Sequence, residues 1–155
     1  MTVHTPVFLR LWDPVGGSTV FAVQDFYHST ITVSGVDYQF LDFSVSGLAI
    51  TASSDANDVT VSLPALTTAV ETASRGTGQL LASITCYTFE ADTAPDTPPG
   101  GQTILIQFVG LLTGWALPDF DTQLTLTIGS PLSPIVAQFP PRRYSSAIVG
   151  TPCRL

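Results

Sequence analysis

Residues 6–23, PVFLRLWDPVGGSTVFAV, decide the fold class. Apolar and polar side chains alternate through 6–12 (PVFLRLW), Asp13-Pro14-Val15-Gly16-Gly17 supplies turn chemistry, and a second strand-like run follows at 18–23 (STVFAV). This pattern is a β-hairpin, and the same period of two recurs along the chain. Strands are expected at 29–33, 36–40, 42–46, 48–52 and 58–63, with turns at Gly35, Gly47 and the cluster Asp55, Asn57, Asp58. The segment from Gly35 through Tyr38 and Phe40 to Phe43 and Val45 places aromatic and branched residues on one side, where they would fill a core between two sheet layers.

One helix interrupts the strands. Pro64 suits a first helical turn, Leu66, Val70 and Ala73 follow at i, i+4 and i+7, and Gly76 after Arg75 is a C-terminal stop with a cation at the negative helix end. At about a dozen residues such a helix must be stabilised by packing on the sheet. Further strands are expected at 79–90, 103–109, near 111–115 and at 122–128. Between the first two, residues 91–102 (ADTAPDTPPGGQ) form a loop or hairpin tip with almost nothing to bury, and Asp92, Pro95, Asp96, Pro98 and Pro99 are its candidate contact residues.

The composition narrows the class. The chain has 155 residues, enough for one domain with a real core. Only 11% of residues are charged, against a usual ~25%, and lysine is absent. Thr, Ser, Gln, backbone or neighbouring subunits must therefore cover the surface. A positive mean hydropathy without an apolar run near ~18 residues argues against a membrane span and for large buried interfaces. The N-terminus lacks a basic region followed by an uninterrupted apolar one, so no signal peptide is expected. A net charge of −7 with five scattered arginines disfavours duplex binding, which needs clustered positive charge.

Candidate chemistry is sparse. His4 and His28 lack cysteine or carboxylate neighbours at metal-ligand spacing. Asp55, Asn57 and Asp58 lack the glycine and distal glutamate of a calcium loop and read as an Asx turn. Asp119 and Asp121 could pair as in glycoside hydrolysis, but after Leu117-Pro118 they read as a loop between strands. Arg75-Gly76-Thr77-Gly78 lacks the lysine of a phosphate loop and the third glycine of a dinucleotide fingerprint. No nucleophile elbow is present, and Cys86 and Cys153 read as free thiols. The chain reads as a non-enzyme without cofactor or metal.

The last stretch, residues 131–155 (PLSPIVAQFPPRRYSSAIVGTPCRL), has a different character. It is too rich in proline for helix and too apolar for a solvated tail. It also holds three of the five arginines, Arg142, Arg143 and Arg154. The expected organisation is a β-rich domain over 1–130 and an extended docking arm over 131–155. Phe139, Arg142, Arg143, Tyr144, Ile148 and Cys153 are the candidate interface residues, because arginine and tyrosine are enriched where interfaces carry most energy.

The order of elements resembles small tail proteins of long-tailed bacteriophages, the tail-tip and baseplate hub proteins that share the tail-tube fold. The resemblance rests on the hairpin, the Gly35-to-Phe40 strand, the Val-Thr-Val-Ser-Leu strand leading to a short helix, and the strands at Gly78–Phe89 and Phe108–Gly110. Phe139-Pro140-Pro141-Arg142-Arg143-Tyr144-Ser145 through Cys153 is similar to a junction in tail-tip hub adaptor proteins. The resemblance implies a mainly β fold, an antiparallel sandwich or barrel of tail-tube type with one short helix. It implies a homo-oligomeric ring, hexameric or trimeric, joined to other tail-tube and baseplate hub proteins. DNA would pass through the lumen without specific binding, with carboxylates repelling its phosphates. The protein would be assembled in the host cytoplasm and reside in the virion tail, away from any membrane. Some hub proteins carry an iron–sulfur cluster; with only Cys86 and Cys153 this chain does not supply the four thiolates it needs. The alternative reading is a non-catalytic virion decoration, or a receptor- or carbohydrate-binding module using an aromatic loop from Trp115 to Phe120.

Overall fold

The computed structural model describes residues 2–48, 58–91, 103–119 and 122–129. They form ten strands and one helix: β1 (Thr2–His4), β2 (Val7–Trp12), β3 (Thr19–Gln24), β4 (Ile31–Val33), β5 (Val36–Phe40), β6 (Ser44–Ser46), β7 (Val59–Pro64), α1 (Thr67–Gly76), β8 (Leu81–Ala91), β9 (Thr103–Asp119) and β10 (Gln123–Gly129). All belong to one sheet of order β4-β5-β3-β2-β8-β9-β10-β7-β6, with β1 paired to β8 beside this path. Every pairing is antiparallel except β3 with β5, so the sheet is mixed. The mainly β class with one short helix is thus as the periodicity indicates.

The hairpin of β2 and β3 forms in the expected place, with Leu9 opposite Val23 and Leu11 opposite Phe21. Asp13 organises its turn by accepting the Val15 N–H on Oδ1 at 2.9 Å, an Asx arrangement. β4 and β5 are joined by Ser34 and Gly35, both at positive φ (52° and 78°). This is the backbone that a two-residue type I′ hairpin demands, and glycine reaches it without strain.

Alternation divides the interior into two clusters. Leu9 and Leu11 of β2, Val59, Val61 and Leu63 of β7, Ala82 and Ile84 of β8, Leu112 of β9, and Leu124, Leu126 and Ile128 of β10 all enter one core. Strands from β3 to β7 share this core, so the sheet curls around α1. Each fully buried Leu or Ile contributes roughly 1.5–3 kcal/mol relative to exposure. A second cluster, Phe8, Tyr27, Ile31 and Tyr38, lies on the opposite face of β2. Phe8 meets Tyr38 edge-on at 5.0 Å and Tyr87 at 5.3 Å, the geometry that aromatic quadrupoles favour.

Several boundaries differ from the sequence reading. The helix begins at Thr67, and Pro64 closes β7 opposite Gln123. Leu66 is the N-cap and is exposed; the buried face is Ala69, Ala73 and Gly76. These small residues allow close approach: a Cβ on Gly76 would lie 2.2 Å from Leu80 Cδ1. Arg75 does sit in the last turn, favourable to the helix dipole. The strands expected at 103–109 and 111–115 are one strand, β9, which passes straight through Gly110. Glycine is required there by contact, since a Cβ would lie 2.5 Å from the Gly129 carbonyl oxygen. The aromatics of 38–43 do not share a core. Tyr38 enters the aromatic cluster, Phe43 the main core, and Phe40 is exposed against His28 with ring centroids 4.7 Å apart. Of the strand expected at 48–52, Leu48 is not in a strand and the rest lies outside the described residues, as do 55–57.

Candidate functional site

Among the described residues several backbone edges have no strand partner, the outer strands β4 and β6 among them, and two others stand out. The first is on β9. Its C-terminal half pairs with β10 from Leu111 to Asp119, and β8 covers its other side from Thr103 to Leu111. Residues 103–110 therefore have β8 on one side and an open edge on the other. Ile104, Leu105 and Val109 are each 43–56% exposed there. A register shift between Cys86 and Tyr87 bulges β9 at Leu105. Bulges re-aim side chains and are common at sheet edges. An open edge with exposed apolar side chains is a template for strand pairing.

The second place is between β3 and β5. These strands run parallel but pair only at Val23 with Gln39 and Gln24 with Phe40. Toward their N-termini they separate around a cleft of about 430 Å³, lined by Thr19–Ala22, Gly35–Asp37, Gln39 and Thr68 of α1. Gln24, fully buried, fixes the apex. Its Oε1 accepts the N–H groups of Phe26 and Tyr27 at 2.8 and 2.6 Å, and its Nε2 donates to the carbonyls of Tyr27 and Ser29. One side chain thus satisfies the backbone of the chain leaving β3.

Titratable groups near the apex are partly or fully buried without forming a reactive set. Asp25 accepts the Val7 N–H on Oδ1 at 2.8 Å. Burial raises its pKa, the Val7 bond opposes that rise, and the charge of Asp42 adds to it. Burial also raises the Cys86 thiol, and Asp25 adds to that effect. This is the reverse of what activates a thiolate. The Tyr38 phenol is raised by burial against the opposing charge of Arg10.

The sequence candidates for chemistry are dispersed. His4 packs on Phe26 with centroids 5.3 Å apart, and His28 packs on Phe40. Asp58 is exposed before β7 and Asp119 is the exposed last residue of β9. Among the described residues no three His, Cys, Asp or Glu side chains are grouped to hold a metal ion, and no helix is long and apolar enough to cross a membrane. The segment from Trp115, read as an aromatic loop, is strand through Asp119: Trp115 stands opposite Leu126, and Leu117 packs on the main core. Asp92, Pro95, Asp96, Pro98 and Pro99, and the arm residues Phe139, Arg142, Arg143, Tyr144, Ile148 and Cys153, lie outside the described residues, as do Phe120 and Asp121. Neither open edge was among the sequence candidates, because partner vacancy depends on pairings between residues far apart in the chain.

No protein-family model matches the chain, and no curated protein matches it. Among solved structures it is similar to a chain of the "Virion of native gene transfer agent (GTA) particle", with a TM-score of 0.52 at 11% identity. The similarity covers 93% of this chain and 44% of that one, so the chain spans less than half the length of its structural neighbour. At this identity the two proteins share a fold.

Proposed function

We propose that this chain is a structural, non-enzymatic subunit of a phage-like virion. It would form part of a ring at the tail tip or baseplate that connects the tail tube to the hub and lines a channel for DNA. The observation that carries this reading is the shared fold with a virion protein over 93% of the chain. The open edge of β9, with its exposed Ile104, Leu105 and Val109, suits pairing with a second copy. The net charge of −7 suits a lumen from which DNA phosphates are repelled. In this reading Phe139, Arg142, Arg143, Tyr144, Ile148 and Cys153 anchor the arm on another subunit or a hub protein. Asp92, Pro95, Asp96, Pro98 and Pro99 reach an adjacent ring. The subunits assemble in the host cytoplasm as hexamers or trimers and reside in the virion tail.

Removal of residues 139–155 tests the reading. The truncated chain should keep its β-sheet circular dichroism and sediment as a monomer where the full chain sediments as a ring. A full chain that remains monomeric both alone and with tail-tube or hub proteins would contradict it.

A further inference from the structure

We infer that the cleft between β3 and β5 receives the C-terminal arm of a second copy of this chain. This inference rests on the ring reading above and names the surface on which the arm docks. The cleft has two open backbone walls, Thr19–Ala22 and Val36–Tyr38, neither paired toward the cleft among the described residues. An extended segment entering between them would find unpaired N–H and C=O groups on both sides, the arrangement that strand addition uses. The occupant must supply N–H groups of its own. Between Pro141 and Pro152 the arm is free of proline, so residues 142–151 can donate throughout.

The chemistry of the walls matches that segment. Val20, 49% exposed, lines both this cleft and an adjoining cavity of about 320 Å³ against α1. The first cavity is also lined by Asp37, and the second by Asp13 and Glu71 together with Arg75. The exposed Val20 among three carboxylates and one cation fits Arg142 and Arg143 followed by Ile148 and Val149. Charge in the chain divides the same way. Residues 1–130 hold all twelve carboxylates and two arginines, or −10, while residues 131–155 hold three arginines and no carboxylate, or +3, together the −7 of the chain.

Geometry brings the arm to the correct end of the sheet. Gly129 stands opposite Leu111, Leu111 opposite Leu81, Leu81 opposite Trp12, and Trp12 opposite Thr19. Gly129, two residues before the arm, and the mouth of the cleft thus share one row, about 19 Å apart across four strand spacings. Each copy therefore presents a basic arm and an acidic cleft as two different surfaces. Contacts of this head-to-tail kind close into a ring when the rotation between copies closes, so under the ring reading the occupant is a second copy.

Disulfide trapping in the full chain tests this. In a Cys86→Ser, Cys153→Ser background, Val20→Cys and Ser145→Cys are placed in separate chains of different mass, mixed and oxidised. The expected result is a disulfide-linked heterodimer at least tenfold above that from Val15→Cys, a site 95% exposed in the β2–β3 turn. Adding Asp37→Arg to the Val20→Cys chain should lower the yield severalfold. In a further sample that carries both substitutions in one chain, a link that forms only within that chain, with none between separate chains, would overturn the inference in favour of self-docking. No link in samples that still show rings by electron microscopy would overturn it while leaving the ring reading standing. Loss of both link and rings would remove the two together.

Discussion

The two halves of β9 carry similar apolar content and put it to opposite uses. At Leu111 the strand pairs with both β8 and β10, Leu112 beside it is fully buried, and further along, with β10 as its strand neighbour, Leu117 packs on the core around α1. From Thr103 to Gly110 β8 is its strand partner among the described residues, and Ile104, Leu105 and Val109 stand exposed. The change occurs at Gly110, where β10 arrives close enough that its Gly129 carbonyl excludes a Cβ. Contact with the core around α1, rather than hydrophobicity, separates the buried residues of the strand from the exposed ones. The same contrast recurs in β3, whose Val23 is buried where β5 pairs while Val20 is exposed where it does not.

Substitutions in the enclosed half of the molecule should cost stability, and substitutions on the open edges should cost assembly. Leu126→Ala on β10, opposite Trp115, should destabilise by about 2–5 kcal/mol in urea unfolding, because the curled sheet cannot collapse onto the cavity. Gln24→Leu should cost at least about 2 kcal/mol, since the N–H groups of Phe26 and Tyr27 would lose a buried acceptor. It should also widen the β3–β5 cleft, read as faster amide exchange at Val23. A smaller effect is expected at Asp25. Burial raises its pKa, so the folded chain still holds a proton at pH values where the unfolded chain has released it. Stability therefore falls as pH rises from about 4 through the folded pKa. Asp25→Asn keeps an oxygen for the Val7 N–H and removes that titration, so its stability relative to the parent should improve between about pH 4 and about pH 7. An unchanged difference across that range would contradict the role given to burial. Least of all for the monomer, Leu105→Asp on the open edge should shift unfolding by less than about 0.5 kcal/mol. It should nevertheless abolish higher-order species in sedimentation.

How much was legible in the sequence follows the same division. The β2–β3 hairpin and the strand at 59–64 were readable because one face is buried and period two is then obligatory. The helix start was not, because Pro64 suits a first helical turn and a strand end equally, and its pairing with Gln123 decides between them. Gly110 was read as a break because a strand glycine marks either a gap or a close approach, and only the position of Gly129 distinguishes these. β1 left no usable pattern in three residues. The open edges, on which the functional reading depends, had no local signature. They arise where β10 ends at Gly129 and where β5 pairs with only two residues of β3. The aromatic cluster was half legible, since Tyr38 and Phe8 were visible as strand residues but not as partners.

The most direct test of the ring reading is cryo-electron microscopy of the particles with which the protein co-purifies. The account predicts a closed ring of copies around an axial lumen at the distal end of a tube, with the 103–110 edge of β9 paired to a neighbouring copy. Isolated copies on a capsid or fibre, with that edge facing solvent and no lumen between subunits, would contradict it.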